Sequence, residues 1–330
     1  MKLSKFVIGL VGVGLELFAP VPSLSVGQER WTVCPQGCDF QRIQEAIDAA
    51  ADGDTILIQA PGIYYENLTI TKSLTIAPYQ VFPVILQPAG AFIGPVITVK
   101  GERAIRVTLE GLIVQGMALE QAVAVKILGQ ATALLNNIEV GPSVYFGLIV
   151  DDQAQVTIKN SRFSGNGASG ISIVGSAQVT LEDSVVFANG VKGISVTENG
   201  QLHVVRTTIF GMELKAVGAG IGIDANDQSK VVIEESLIYD NRLEGVQASE
   251  SSAVEIIKSV IANNGRSGIL LFDKPTVIVR ESIIHSNDPW GIAAWTPQCG
   301  FEGNQYSGGT VQIDQATVFV KNSKGDICLP

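Results

Sequence analysis

The chain has 330 residues, of which 46% are hydrophobic and 16% are charged, and its formal net charge at pH 7 is −10. Few charges together with 35 glycines favour an all-β protein over a helical one. The acidic balance argues against a nucleic acid partner and against unassisted binding of polyanions. The length would allow two domains, but a periodic pattern runs nearly from end to end, and we predict one folded domain.

Residues 1–25 have the layout of a secretory signal peptide. Two lysines precede an apolar run over residues 6–15, and the small residues Ser23 and Ser25 stand before the expected cleavage point. Glu16 is unusual so close to such an apolar run, which leaves a retained membrane anchor as the alternative. We therefore expect a secreted, periplasmic or cell-envelope protein, in contact with a membrane only if residues 1–25 are kept.

An N-terminal segment with a different period follows. The apolar residues between Phe40 and Ala50 are spaced as one face of a helix, which Asp39 can cap and Gly53 can end. Since a stack of repeats leaves an apolar end that must be covered, we predict that this helix is a cap. We assign residues 26–53 to the N-terminal segment and capping helix, and residues 54–330 to the repeats.

A short pattern recurs between residues 147 and 290. A glycine opens each copy, and successive opening glycines are 23 to 27 residues apart. They are Gly147, Gly170, Gly193, Gly220, Gly245, Gly268 and Gly291. Within a copy, apolar residues come in pairs separated by one residue, such as Ile171 with Ile173 and Val179 with Leu181. This alternation predicts short strands, three in each copy.

Copies of this length cannot bury their apolar faces alone, so they must stack. We predict that each copy forms one coil of a parallel β-helix, with like residues above one another at a spacing of about 4.8 Å. The predicted buried column is Ile171, Ile194, Ile221, Val246, Ile269 and Ile292. The substitution Ile194→Asp would place an unpaired charge in this column, and we expect it to prevent folding of that region.

Asparagines close most copies at one constant offset, interrupted by Met212. They are Asn166, Asn189, Asn241, Asn264 and Asn287. An inward asparagine at a bend can donate to a backbone carbonyl of the next coil and accept from the previous one, which predicts a ladder of hydrogen bonds. The alternative is that asparagine serves only as a turn residue. The constant offset favours the ladder.

The four cysteines are Cys34, Cys38, Cys299 and Cys328. An even number in a chain expected to be exported suggests disulfides. Of the three pairings that can form, we favour Cys34 with Cys38 and Cys299 with Cys328, because each pair lies at one end of the stack, where strands would otherwise fray. The last coil of the β-helix is therefore expected to be tied by a disulfide.

The stretch from residue 40 to residue 76 resembles the opening of the pectin-lyase-like superfamily, as seen in pectinesterases and in the carbohydrate-binding and sugar-hydrolase group that includes the copper-maturation protein NosD. The residues that carry the resemblance are Phe40, Ile43, Gln44, Ala46, Ile47, Ala49, Ala50, Gly53, Asp54, Thr55, Ile56, Pro61, Gly62, Tyr64, Glu66, Ile70, Lys72, Leu74, Thr75 and Ile76. The resemblance implies an all-β fold, a single-stranded right-handed parallel β-helix with three strands per coil and an N-terminal capping α-helix. It implies little about activity, because the superfamily hosts many chemistries.

The local signatures of enzymes in this superfamily are mostly missing. Asp151-Asp152 matches one motif of the polygalacturonases, but no histidine stands between glycines. The motifs of pectinesterases and the Asp-Pro-His of alginate epimerases are also missing from the sequence. The two histidines, His203 and His285, are expected to point outward on different faces. We therefore assign no catalytic residue.

Acidic residues recur at the turn after the first strand of each coil. Stacking would gather Asp151, Asp152, Glu198, Asp224, Asp227, Glu250 and Asp273 into an acidic ridge. Oxygen ligands from adjacent coils can reach one Ca²⁺ ion. The candidate calcium ligands are Glu198, Asp224, Asp227 and Glu250, and no other cofactor is predicted. The alternative is a solvated ridge without metal.

The outward positions of the third strand are mostly apolar and would form an interaction strip. They are Val185, Phe187, Thr208, Phe210, Leu237, Tyr239, Val260 and Ile283. Aromatic faces stack on sugar rings, and the candidate ligand-binding residues are Phe187, Phe210 and Tyr239 on this strip with Phe272 and Trp295 on the first strand. The alternatives are that a loop covers the strip or that one of its columns is internal.

These patterns predict an exported β-helix that binds an extended ligand along one face, a polysaccharide or cell-surface glycan, without a recognisable catalytic constellation. One competing hypothesis is a Ca²⁺-dependent polysaccharide lyase or epimerase that uses the acidic ridge. Another is a structural cell-surface rod.

Overall fold

The computed structural model describes residues 28–90, 94–117, 122–212 and 220–330. The strands in these ranges pair in parallel, each with the equivalent strand of the coil before and the coil after, so the chain winds as a parallel β-helix. The predicted all-β fold with three strands per coil is confirmed. We number the three sheets by the order in which a coil enters them.

Sheet 1 opens each coil. Its strands are Leu68–Ile70, Leu148–Val150, Ser169–Ile173, Lys192–Val196, Ile221–Ala225, Val246–Ala248, Ile269–Leu271, Trp290–Ala294 and Gly325–Cys328. Sheet 2 follows, with strands Arg30–Val33, Thr55–Ile58, Leu74–Pro78, Gln155–Lys159, Gln178–Glu182, Gln201–Val205, Lys230–Glu234, Ala253–Ile257, Thr276–Arg280 and Thr310–Ile313. The long strands Ile97–Glu110 and Val125–Asn136 belong to both sheets, because each pairs with a sheet 1 strand near its start and a sheet 2 strand near its end.

Sheet 3 closes each coil. Its strands are Gly62–Tyr65, Val84–Gln87, Leu112–Gly116, Glu139–Ser143, Arg162–Ser164, Val185–Phe187, Thr208–Phe210, Leu237–Tyr239, Val260–Ala262, Ile283–His285 and Val318–Val320. The inward side chains of the three sheets form one continuous hydrophobic core. A helix over Ile43–Ala49 and a 3₁₀ helix over Pro297–Cys299 complete the described elements.

The helix Ile43–Ala49 packs against the first strands with Ile43, Ala46 and Ile47 buried. Its capping differs from the prediction. The carboxylate of Glu66 accepts from the first backbone N–H groups of the helix, whereas Asp39 accepts from Thr32 and does not cap. The reason is that the helix begins four residues after Asp39, beyond the reach of its side chain.

The end of the same helix is held by Lys72. Its Nζ donates to the carbonyl oxygens of Ile47, Asp48 and Ala50 at 3.2, 2.7 and 2.7 Å. A cation at a helix C-terminus satisfies free carbonyls and complements the helix dipole. Gly53 lies beyond this point and does not form the cap.

The buried column of sheet 1 is shifted at one coil from the predicted register. Ile194 pairs with Ile223, and Ile223 pairs with Val246, whereas Ile221 pairs with Lys192. The opening glycine of this coil is therefore Gly222 and not Gly220. Ile194 and Ile223 are 29 residues apart where neighbouring coils are 23 apart, so all six extra residues precede Ile223.

The asparagines form a buried chain of side-chain hydrogen bonds. Asn166 Nδ2 donates to Asn189 Oδ1 at 2.8 Å, and the same bond joins Asn241 to Asn264 at 3.0 Å and Asn264 to Asn287 at 2.9 Å. These are the bonds that continue the row from coil to coil.

Two details of the row differ from the expectation. Donation to a backbone carbonyl goes to the preceding coil and not the next one, as from Asn189 Nδ2 to Phe163 O at 3.1 Å. The row also continues to Asn322, which accepts from Asn287 Nδ2 at 3.1 Å. Asn322 follows a long insertion, which hides its offset in the sequence.

Two disulfides join the cysteines in the favoured pairing, Cys34 with Cys38 and Cys299 with Cys328. The second ties the 3₁₀ helix Pro297–Cys299 to the sheet 1 strand Gly325–Cys328. The long insertion between Ala294 and Thr310 is thereby fixed against the last coil.

Candidate functional site

The outer face of sheet 1 carries a row of polar side chains in its middle coils. Ser172, Ser195, Asp224 and Gln247 are in register on successive strands. Each alternates with buried apolar neighbours that belong to the core, so these four side chains lie on the outer side of the sheet. Asp224 is nonetheless only 1% exposed.

Asp224 is held by two partners. It forms an ion pair with Lys192 of the preceding coil, and its Oδ1 accepts from Gln247 Nε2 at 3.0 Å. Removing a carboxylate from water costs several kcal/mol unless a partner compensates it. The pair therefore fixes the orientation of both charged groups on this face.

Glu244 is the second buried acid of the site. It lies just before the opening glycine Gly245, at the position that Lys192 occupies before Gly193. Its side chain is fully buried, and its Oε1 accepts from Arg266 Nη1 at 2.9 Å. Its other oxygen, Oε2, accepts no hydrogen bond from any of the described residues.

Burial raises the pKa of Glu244 above the usual range, and the negative charge of Asp224 acts in the same direction, while Arg266 opposes the shift. The neutral acid is therefore favoured more than in water. A buried, titratable carboxyl with one free oxygen beside a second acid is typical of functional sites.

An aromatic stack bounds this face at its C-terminal end. Trp295 stacks on Phe272 at a centroid distance of 4.9 Å and on Phe301 at 4.7 Å. The guanidinium carbon of Arg266 lies 5.3 Å from the Trp295 ring. Arg266 thus joins the Glu244 pair to the stack, and the predicted residues Phe272 and Trp295 belong to this site.

The insertion that supplies Phe301 covers the last coils of the face. The outward Leu270 and Ala293 are fully buried together with Cys299. Trp290 Nε1 donates to the carbonyl of Cys299 at 2.9 Å, which anchors the 3₁₀ helix there. The open part of the face therefore lies on the N-terminal side of Leu270.

The other three candidate ligand-binding residues lie elsewhere, on sheet 3. The rings of Phe187 and Phe210 stack with centroids 5.4 Å apart, and those of Phe210 and Tyr239 stack at 5.0 Å. The guanidinium of Arg162 covers Phe187 at 5.0 Å. Both faces of Phe210 are thus used within the protein, and the predicted aromatic set is divided between two faces of the rod.

The acidic ridge exists at the corner between sheets 1 and 2, but Asp224 is not part of it. Glu198, Asp227 and Glu250 occupy equivalent turn positions with φ of 57, 58 and 57°. The charge of Asp227, then its hydrogen bond, raises the pKa of Glu250. Asp224 instead faces Lys192 and Gln247.

The candidate calcium ligands therefore do not converge as one set. Throughout the described ranges, no group of three or more histidine, cysteine, aspartate or glutamate side chains is placed to hold a metal ion. Asp224 forms an ion pair with Lys192. The backbone N–H of Glu198 donates to Asp227 Oδ2 at 2.8 Å.

The two histidines lie apart from this site and from each other. His203 Nε2 on sheet 2 is 3.3 Å from Glu234 Oε2. His285 Nδ1 on sheet 3 is 3.1 Å from the Ser286 hydroxyl. They do not form an acid and base pair.

Glu244, Gln247 and Phe301 were not among the residues singled out in the sequence. The signal for Glu244 is its separation from Arg266 by about one coil, since residues one coil apart lie side by side. Asp183 with Arg206 and Lys159 with Glu182 have nearly the same spacing and also pair. Phe301 lies in an insertion without a repeat to place it.

The family described as "Right handed beta helix region" matches the chain over residues 97–209 and 146–306. In a comparison with curated proteins, no sequence match is found.

Several solved structures share the fold. The A-module of the Azotobacter vinelandii mannuronan C-5 epimerase AlgE4 is 19% identical, with a TM-score of 0.63 over 87% of this chain and 90% of that one. An alginate lyase from Paenibacillus sp. is 15% identical, with a TM-score of 0.59 over 91% and 99%. The pectate lyase Pel9A is 14% identical, with a TM-score of 0.53 over 88% and 78%. At these identities the likeness shows the fold alone.

Proposed function

Since this chain belongs to the right-handed beta helix family, we propose that it binds an extended polysaccharide along the outer face of sheet 1. The observation that carries the proposal is the convergence of the Lys192–Asp224 and Glu244–Arg266 pairs with Trp295 on this one face. The similar folds include proteins named for mannuronan, alginate and pectate, which supports a polysaccharide as the ligand class.

The chemistry of the face suits a sugar chain. Hydroxyl groups of sugars need both donors and acceptors, which the Lys192 ammonium and the Gln247 amide supply next to one another, while the buried Asp224 orients both of them. The stack of Phe272, Trp295 and Phe301 forms an apolar surface against which the apolar side of a sugar ring can pack. Because these groups are already held by one another, little side-chain entropy is lost when a ligand binds.

The repeat of the coil favours an extended ligand. The outward positions from Ser172 to Gln247 are separated by three coil steps, or about 14 Å at 4.8 Å per step. The covered coils beyond Leu270 close the face at one end. A linear polymer can run along the rod axis from this closed end toward the N-terminal coils.

Polysaccharide lyase or epimerase activity is the second candidate, and Glu244 favours it. A carboxyl with a raised pKa is suited to proton transfer. Glu244 itself is fully buried, and Arg266, whose side chain is 33% exposed, joins it to the surface of the face. The neighbouring Arg266 can stabilise negative charge on the substrate. No step is assigned to calcium, because the candidate ligands do not converge.

Affinity electrophoresis against neutral and uronate polysaccharides, with and without Ca²⁺, tests the binding proposal. We expect at least one polysaccharide to retard the protein and Trp295→Ala to lose this retardation. Tyr79→Ala is the matched control, because Tyr79 is an exposed aromatic residue that follows a sheet 2 strand. Equal retardation of Trp295→Ala and the wild type would place binding elsewhere.

The same samples separate binding from catalysis. A lyase raises ultraviolet absorbance through unsaturated uronides, and an epimerase changes the sugar ratio seen by NMR. Retardation without either signal supports a binding protein. If no polysaccharide retards the protein and no product forms, the structural rod becomes the better hypothesis.

Export is part of the proposal. Two disulfides fit an oxidising compartment. None of the described helices is long and apolar enough to cross a membrane, and the predicted signal peptide, residues 1–25, lies outside the described residues. N-terminal sequencing of the mature protein tests this: a start after residue 25 supports cleavage, and an intact Met1 in the membrane fraction supports the anchor.

A further inference from the structure

One outward column of sheet 3 changes character near its middle. Its first rungs are the apolar residues Ile63, Ile85 and Ile113, each in register with the next. Two opposite charges follow, Glu139 and Arg162. The column thus begins with an apolar run that ends in an acid and a base.

The column continues on the other side of this pair with Val185, Thr208, Leu237, Val260, Ile283 and Val318. Three rungs therefore precede the charged pair and six follow it. The three rungs nearest to the pair on each side are apolar except for Thr208.

The two central charges have no ionic partner within the described part of the chain. Glu139 and Arg162 are both exposed, and they do not pair with each other although their strands are adjacent. Arg162 instead lies over Phe187. Other opposite charges one coil apart do pair, as Asp183 does with Arg206 and Lys159 does with Glu182.

We propose that sheet 3 packs face to face against sheet 3 of a second copy of this chain, with the two rods antiparallel. The twofold axis runs along the strand direction, between the rungs of Glu139 and Arg162. Each Glu139 then faces the partner's Arg162, Ile113 faces the partner's Val185, and Ile63 faces the partner's Leu237. Such an interface is isologous, since the same surface is used on both copies.

The neighbouring outward column fits the same arrangement. Tyr65, which is 61% exposed, would face the partner's Tyr239 at the outer end of the contact. Gln115 and Gln87 would face the edges of Phe187 and Phe210. The eight paired rungs span about 34 Å at 4.8 Å per coil. The last three rungs of each column, Val260, Ile283 and Val318, lie beyond the contact.

The charges select this register over its alternatives. Moving the axis by one coil toward the C-terminus would place Glu139 against Thr208 and Arg162 against Val185, which buries both charges without partners. Unpaired charges in an interface cost several kcal/mol, so the charged pair acts against other registers. The apolar rungs alone would not make this choice.

A second copy suits this surface better than a polysaccharide does. Apart from Glu139, Arg162 and Thr208, the first column is apolar and offers no hydrogen-bond partner to sugar hydroxyls, and the stacked rings of Phe187 and Phe210 cover each other. Exposed apolar strips of this kind mark protein contacts. The surface is separate from the sheet 1 face, so the two proposals stand independently.

Sedimentation equilibrium of the full chain, over a range of micromolar concentrations, tests the proposal. We expect a dimer for the wild type. Glu139→Arg and Arg162→Glu each place like charges together at two symmetric contacts, and we expect each to weaken the dimer about 100-fold. The double variant Glu139→Arg with Arg162→Glu restores opposite charges, and we expect it to recover the wild-type dissociation constant.

Lys230→Glu is the control, because Lys230 is an exposed basic residue on sheet 2. It should leave the dimer unchanged, and circular dichroism should show that all variants remain folded. A monomeric wild type, single variants that dimerise as the wild type does, or a double variant that stays dissociated would each overturn the proposal.

Discussion

The backbone N–H of Met212 donates to the side-chain Oδ1 of Asn241, 3.4 Å away, where the asparagine row is interrupted. Met212 is fully buried at the position that asparagine holds in neighbouring coils. On its other side, Asn189 Nδ2 donates to Phe163 O but has no further asparagine to donate to. The site is therefore surrounded by the partners that a ladder asparagine uses.

We predict that Met212→Asn is less destabilising than Met212→Ala, by about 1 kcal/mol or more. In most cores a buried asparagine costs more than alanine, because its amide is left unsatisfied. Here the amide can accept from Asn189 and donate to Asn241, while Met212→Ala leaves a cavity at a cost of about 2 to 5 kcal/mol. Urea unfolding of both variants measures the order, and the reverse order would contradict the ladder's role.

The Glu66 carboxylate caps the helix Ile43–Ala49, so Glu66→Ala should destabilise the protein by about 1 to 3 kcal/mol. Both of its oxygens accept from backbone N–H groups at 3.0 Å, and Glu66→Gln keeps one acceptor oxygen, so a smaller loss is expected for it. Glu45→Ala, an exposed acid on the same helix, is the control and should change stability by less than about 0.5 kcal/mol. Thermal unfolding gives the order, which would be refuted by equal effects of the Glu66→Ala and Glu45→Ala variants.

The raised pKa of Glu244 should make the difference in stability between the wild type and a Glu244→Gln variant depend on pH. Because its pKa is raised in the folded state, its contribution to stability is complete below the unfolded pKa and is lost as pH rises through the folded value. The Glu244→Gln variant stays neutral and keeps an acceptor for Arg266. The free energy of unfolding of the variant, relative to the wild type, should therefore increase from pH 4 to pH 8 in urea titrations. Parallel pH profiles would show that Glu244 does not titrate as expected.

The pKa of Glu250, on the acidic ridge, should depend mainly on Asp227. Since the charge of Asp227 is the largest cause of its raised pKa, Asp227→Asn should lower that pKa toward the ordinary value. Asp273 is the smallest of the contributing causes, so Asp273→Asn should lower it less. Carbon-detected NMR titration of the glutamate carboxyl measures both changes. An unchanged midpoint in Asp227→Asn would mean that the two carboxyl groups are farther apart than described.

Periodicity predicted the three sheets well, because every coil repeats the same alternation of buried and exposed positions. The register failed at Ile221 for a physical reason. A shift of two residues moves Ile223 into the place of Ile221 without changing which side chains point inward, so hydrophobic alternation cannot choose between them. Met212 and Asn241 hold equivalent positions on either side of the insertion, and their separation of 29 residues gives the correct register.

The site was only partly predictable. Trp295 and Asp224 could be named because they occupy repeat positions, but their partners depend on contacts between coils. Asp224 contacts Lys192 and Gln247 of the neighbouring coils, and the alternation within a single coil does not show this. The Glu244 and Arg266 pair could have been found by searching the sequence for opposite charges one coil apart. The contact of Trp295 with Phe301 could not, because Phe301 lies in an insertion outside the repeats.

The described coils keep sheets 2 and 3 in unbroken register from Gln155 to Ile283, while extra residues enter just before one sheet 1 strand and just after another. Those two corners tolerate additional chain without disturbing the stacking. A peptide grafted at either of them would be carried at a known height along the rod. The protein could thus serve as a molecular ruler, on which displayed segments are spaced in whole coil steps.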